Sequence, residues 1–131
     1  MANQGTVLLY HIEDKEKERK LKVVLIRMGM KIKMIAKEDY MHPIGYLLNL
    51  DGFEPGAPYE GKDFEDEMMV MYGFDGRRLN MLLAEMRKAK ISKINLKAMV
   101  TEHNRAWTSI ALHEELTREH TAMTNGQNVE H

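Results

Sequence analysis

The densest run of reactive side chains in this chain is Thr101-Glu102-His103-Asn104-Arg105, set between the apolar run Ile94 to Val100 and the apolar-periodic segment that opens at Trp107. His103 is the natural acid/base of such a group. Arg105 can grip a carboxylate or phosphate with two parallel N–H bonds, and a helix start just beyond it offers free N–H groups to an anion. The structural alternative is plain: Thr101 or Asn104 caps the last helix, and Arg105 pairs with Glu102 or with solvent. It is the simpler reading, because most helices need such a cap.

Other chemistries find less. His11, His103 and the carboxylates Glu13, Asp14 or Asp75 are of the type that binds zinc, iron or manganese, but no pair has a diagnostic spacing. His113 and His120 share a helix face about two turns apart, too far to hold one ion between them. His113-Glu114-Glu115 is not a His-Glu-x-x-His motif, since position 117 is Thr. Ser92 and Ser109 are the only serines, and neither stands in a Gly-x-Ser-x-Gly elbow. Neither Gly45 nor Gly73 belongs to a phosphate-cradling run. No catalytic residue, metal ligand or cofactor is therefore assigned. The twelve methionines fit core positions as gap fillers, and Trp107 reads as an anchor for the last helix on the sheet.

What must position these residues is a chain of 131 residues, the length of one domain with a real core. The absence of cysteine removes disulfides, thiolate metal sites and cysteine nucleophiles. A formal net charge of −1 implies no nucleic-acid partner. The opening residues carry no signal-peptide pattern, and apolar runs such as Val23-Val24-Leu25-Ile26 are too short for a bilayer. No membrane association is expected, and the cytoplasm is the default location. Charge is nevertheless segregated. Residues 13–37 hold nine Lys/Arg against four acids, and residues 77–97 hold seven against one. Residues 51–67 hold seven acids against Lys62. The ordinary meaning of such runs is a solvated helix face or loop.

Two strand–helix–strand units are legible. Thr6 to Tyr10 is a continuous apolar run suited to a central strand, followed by a helix with Leu21, Val24, Leu25 and Met28 on one face and by the alternating Lys31 to Ile35. Met68 to Tyr72, then a helix capped by Asp75 with Leu79, Leu82, Leu83 and Met86, then Ile94 to Val100, repeats the pattern. Between the units, Pro43 opens a short helix over Ile44 to Leu50, and residues 51–67 form a long acidic surface loop or lid. The last helix carries Trp107, Ile110, Leu112, Leu116 and Met123, and residues 124–131 read as a flexible tail. These elements predict a single three-layer α/β domain over residues 1–131, its four-stranded, mostly parallel sheet in the order 2-1-3-4. A ferredoxin-like arrangement is the alternative. In a parallel sheet the ends carrying His11, Asp75 and residues 101–105 would meet at one rim.

The pattern Thr101-x-x-Asn104-Arg105-x-Trp107-Thr108, followed by Leu112-x-Glu114-Glu115-Leu116-x-x-Glu119-His120, resembles the closing segment of a small bacterial family described only as a domain of unknown function (DUF3783-like). Met71-Tyr72-Gly73-Phe74 and Leu96-Lys97-Ala98 extend the likeness over the last half of the chain. The resemblance implies no reaction; it directs attention to Thr101, Asn104, Trp107, Glu115, Glu119 and His120. With His103 and Arg105 these form the candidate binding set. The function expected is a binding or protein-interaction module that takes a protein partner or a second copy of itself. The alternative is a small-molecule or anion sensor or enzyme with His103 as acid/base.

Overall fold

The computed structural model of the chain describes residues 5–129. Strand β1 (Thr6–Tyr10) is buried from Val7 to Tyr10, as a run apolar on both faces must be. Helix α1 (Lys15–Arg27) starts where the Asp14 carboxylate accepts from the backbone N–H groups of Glu16 and Lys17, and stops at Gly29, whose φ of +78° suits glycine. It turns Leu21, Val24 and Leu25 inward. Strand β2 (Lys31–Ile35) is an edge, with only Ile35 fully covered. The second unit repeats this with β3 (Met68–Tyr72), α3 (Gly76–Lys88) capped by Asp75, and β4 (Leu96–Met99).

The sheet has the order β2-β1-β3-β4. Within each unit the strands are parallel, but β1 and β3 run antiparallel, Leu8 facing Val70 at the centre. The sheet is thus mixed, and the reason lies in the connection between the units. It leaves the C-terminal end of β2 and enters β3 at that same end of the sheet, so it never travels the sheet's length. Within it, α2 (Ile44–Leu47) is a single turn rather than a full crossover helix. Two antiparallel units with right-handed crossovers put α1 and α3 on the same face, where Leu21, Leu25, Leu82 and Met86 close over Val7, Leu9, Met69 and Met71.

The opposite face, with Leu8, Tyr10, Met68, Val70 and Leu96, is covered by α2, by residues of the 51–67 loop and by α4 (Ser109–Val129). Three layers result. Residues 124–129, expected to be a tail, continue helix α4, and residues 130–131 lie outside the described residues. The 51–67 loop is pinned rather than poised as a lid. The Gly56 N–H donates to His42 Nδ1 at 2.9 Å, the Tyr40 hydroxyl donates to Asp63 at 2.8 Å, and Phe64 stacks between Tyr40 and His113 at ring-centre distances of 4.8 and 3.9 Å. No helix among the described residues is long and apolar enough to cross a membrane.

Candidate functional site

The turn after β4 is built by its own side chains. The Thr101 hydroxyl accepts from the backbone N–H groups of His103 and Asn104, while the Asn104 carboxamide oxygen accepts from the Thr101 N–H at 2.9 Å. Asn104 also donates from Nδ2 to the Met99 carbonyl at 3.2 Å. This reciprocal pair holds a turn of 3-10 helix at Asn104–Ala106, separate from α4, whose own cap is the Thr108 hydroxyl accepting from Ala111. Arg105 lies 3.7 Å from Glu102 on the surface. Neither Thr101 nor Asn104 caps the last helix, as the structural reading had it: the turn they shape precedes α4 by several residues, while Arg105 does pair with Glu102.

Beyond the turn, α4 runs back along β4 and leaves an open cleft of about 420 Å³ between them. Its floor is Ala98, Trp107, Leu112 and Leu116. Its walls are Lys97 and His103 on the strand side and Glu115 and Glu119 on the helix side, with Asn104 at the end. Positions 112, 115, 116 and 119 form one helical face by their spacing. The main chain of Trp107 is fixed to α2 by the Ile44 N–H donating to its carbonyl at 2.8 Å, so the indole is held on a rigid base. The His103 ring meets the Trp107 ring edge-on at 5.3 Å. Glu115 is paired with Arg118. The Lys97 ammonium donates to the Ile94 carbonyl at 2.6 Å, and burial, then the charge of Lys93, depresses its pKa. His120 lies outside this cleft, in a neighbouring depression with Asp66, Glu67 and Lys93.

The single rim of His11, Asp75 and residues 101–105 does not form. Because β3 is antiparallel to β1, His11 follows the strand end beside Met68, whereas Asp75 and the turn after β4 lie at the opposite end of the sheet. His11 takes a left-handed backbone with φ of +63° and places its ring nitrogens 3.4 Å from Glu13 and 3.3 Å from Asp63. Beside it the Tyr10 hydroxyl and Ser109 Oγ share a buried hydrogen bond of 2.6 Å. Burial raises the Tyr10 pKa against the opposing pull of that bond. Burial, then the hydrogen bond to Asp63 and its negative charge, raises the Tyr40 pKa. This second cluster escaped the sequence because Tyr40, Asp63 and Ser109 come from three distant segments. Lys97 carried a better signal, as a charge inside an apolar strand. No group of three or more His, Asp or Glu side chains among the described residues is arranged to hold a metal ion.

The fold and the cleft define a small mixed-sheet α/β domain with one groove between an edge strand and a long helix. The family model for Domain of unknown function (DUF3783) matches residues 67–123, the stretch from the approach to β3 into α4 that forms both walls of the cleft. The similarity in the closing segment is thereby found where the motif placed it. No curated protein and no solved structure gives a match to the chain.

Proposed function

We propose that this protein is a cytoplasmic binding module that captures an extended segment of a protein partner in the cleft between β4 and α4. The observation that carries the reading is the gathering of His103, Asn104, Trp107, Glu115 and Glu119 around one apolar floor, although they come from a turn and two turns of a helix. A rigid aromatic beside aliphatic side chains is the composition of an interface anchor. Glu119, which has no cationic partner among the described residues, calls for a basic residue in the occupant. The enzyme or sensor alternative has less behind it: the His103 ring packs edge-on against Trp107, and among the described residues no carboxylate forms an ion pair or hydrogen bond with it.

Trp107 is the only tryptophan and so reports on this cleft alone. Titration with a short peptide of leucine and arginine should move its emission saturably, and Glu119→Lys should weaken the response about tenfold by reversing the wall charge. Emission that ignores such peptides but responds to a small anion would favour the sensor. A second copy of the chain as the occupant would appear as a concentration-dependent emission without any peptide.

A further inference from the structure

A second cavity, of about 420 Å³, lies on the other side of β4, under the overhang of α3. The sheet alternation explains its lining. Leu96 and Ala98 face α4, so the side chain of Lys97 between them turns toward the α1 and α3 layer, where its strand neighbour Met69 is fully buried, although Lys97, on an edge strand, borders the α4 cleft as well. Helix α3 contributes Leu83, Met86 and Arg87, successive positions of one face, and the turn into β4 contributes Ile91, Lys93 and Ile94. The lining is thus aliphatic, with Met86, Ile91 and Ile94 themselves buried, and it includes three cations, Arg87 and Lys93 exposed and Lys97 half-buried with its ammonium on the Ile94 carbonyl.

Lys93 also borders the depression that holds Asp66 and Glu67, but none of the three cations is closed into an ion pair among the described residues. No Asp or Glu lines the cavity, and neither Arg87, Lys93 nor Lys97 has a carboxylate within ion-pair distance among the described residues. The nearest acid in sequence, Glu85, is engaged by Lys88 at 3.5 Å. Elsewhere on this protein lysines and arginines do find acids: Lys17 with Glu67, Arg19 with Glu16, Lys22 with Glu18. Three like charges around an apolar hollow repel one another, and an anion entering between them relieves that repulsion while its apolar part displaces water from the aliphatic wall. The volume falls in the range of small-molecule pockets.

We infer that this cavity binds a small amphipathic anion, with its acidic head between Arg87, Lys93 and Lys97 and its apolar body against Leu83, Met86, Ile91 and Ile94. The inference does not rest on the peptide-binding reading of the α4 cleft, with which the cavity shares only Lys97. Carboxylate and phosphate heads share the required chemistry, and parallel arms with decanoate and decyl phosphate, both below their micelle concentrations, separate them.

The test follows methyl resonances of Met86, Ile91 and Ile94 during titration of the intact protein. Decanoate or decyl phosphate should shift these methyls saturably and leave Trp107 emission unchanged. Decanol, which keeps the tail and loses the charge, should bind about tenfold more weakly. Acetate, which keeps the charge and loses the tail, should not saturate. The double variant Arg87→Gln/Lys93→Gln changes two exposed side chains and should cost the anion about tenfold in affinity while leaving decanol unaffected. Equal binding of decanol and decanoate, an unchanged double variant, or shifts spread over the whole sheet rather than these methyls would each overturn the assignment.

Discussion

Tyr10 and Ser109 meet in the interior across 99 residues of chain, and each hydroxyl is the other's buried partner. Removing one strands the other in an apolar layer, whereas removing both leaves a shape that packs without a polar debt. Ser109→Ala or Tyr10→Phe alone should each cost about 1–2 kcal/mol, and the double variant should cost less than the sum, as read from urea midpoints. Titration supplies a second prediction at this scale. Tyr10 and Tyr40 both have pKa values raised by burial above the ordinary value of 10.0, so ionisation is easier in the unfolded chain. The stability they support is fully present below that value and is lost as pH rises from it towards the raised folded-state pKa. Urea midpoints should therefore fall steeply above about pH 10, and Tyr40→Phe should flatten that fall. A midpoint that stays level through this range would contradict the burial of both hydroxyls.

Among the elements, the 51–67 loop departs most from its sequence appearance. Its prolines, glycines and acids mark a solvated lid, yet Gly56 sits so close to Met41 that a Cβ there would come 2.1 Å from the Met41 carbonyl oxygen. Backbone on both sides cannot yield, so Gly56→Ala should destabilise by about 2 kcal/mol and open the loop to proteases, a change visible as faster cleavage within residues 51–67. The turn after β4 predicts a smaller effect: Asn104→Ala removes the acceptor for Thr101 and the donor to Met99, and should lower stability by about 1 kcal/mol. Periodicity made the strands and helices legible because Leu21, Val24 and Leu25 or Leu82 and Met86 need only a local pattern to declare a buried face. The strand order followed from handed crossovers. The direction of β3 did not, because it depends on where a 32-residue connection ends, and that connection is held by Tyr40, Phe64 and His113 stacking across segments that no local pattern links. The same holds for the site: Trp107, Glu115 and Glu119 were marked by the resemblance of the closing segment to a known family, while Lys97 acquires its place only from the sheet register.

At the scale of the whole molecule, the two units are halves of one core rather than two small domains. The matched family stretch, residues 67–123, supplies β3, α3, β4 and most of α4, which alone would make a two-stranded parallel sheet. In the intact chain Met68, Met69, Val70 and Met71 are at most 1% exposed, and the residues clustered with them include Val7, Leu8, Leu9 and Tyr10 of β1, together with α1 on one face and Tyr40 and Ile44 on the other. Cut free, β3 would become an exposed apolar edge, and two strands do not hold a sheet in water. A fragment of residues 67–131 should accordingly show partial helix by far-ultraviolet circular dichroism and no cooperative melting. Adding a separate fragment of residues 1–66 should restore a single transition, since the five-residue antiparallel register of β1 on β3 re-forms both core faces at once. Cooperative melting of the shorter fragment by itself would mean that the second unit is a domain in its own right, and that the first was added to a fold already complete.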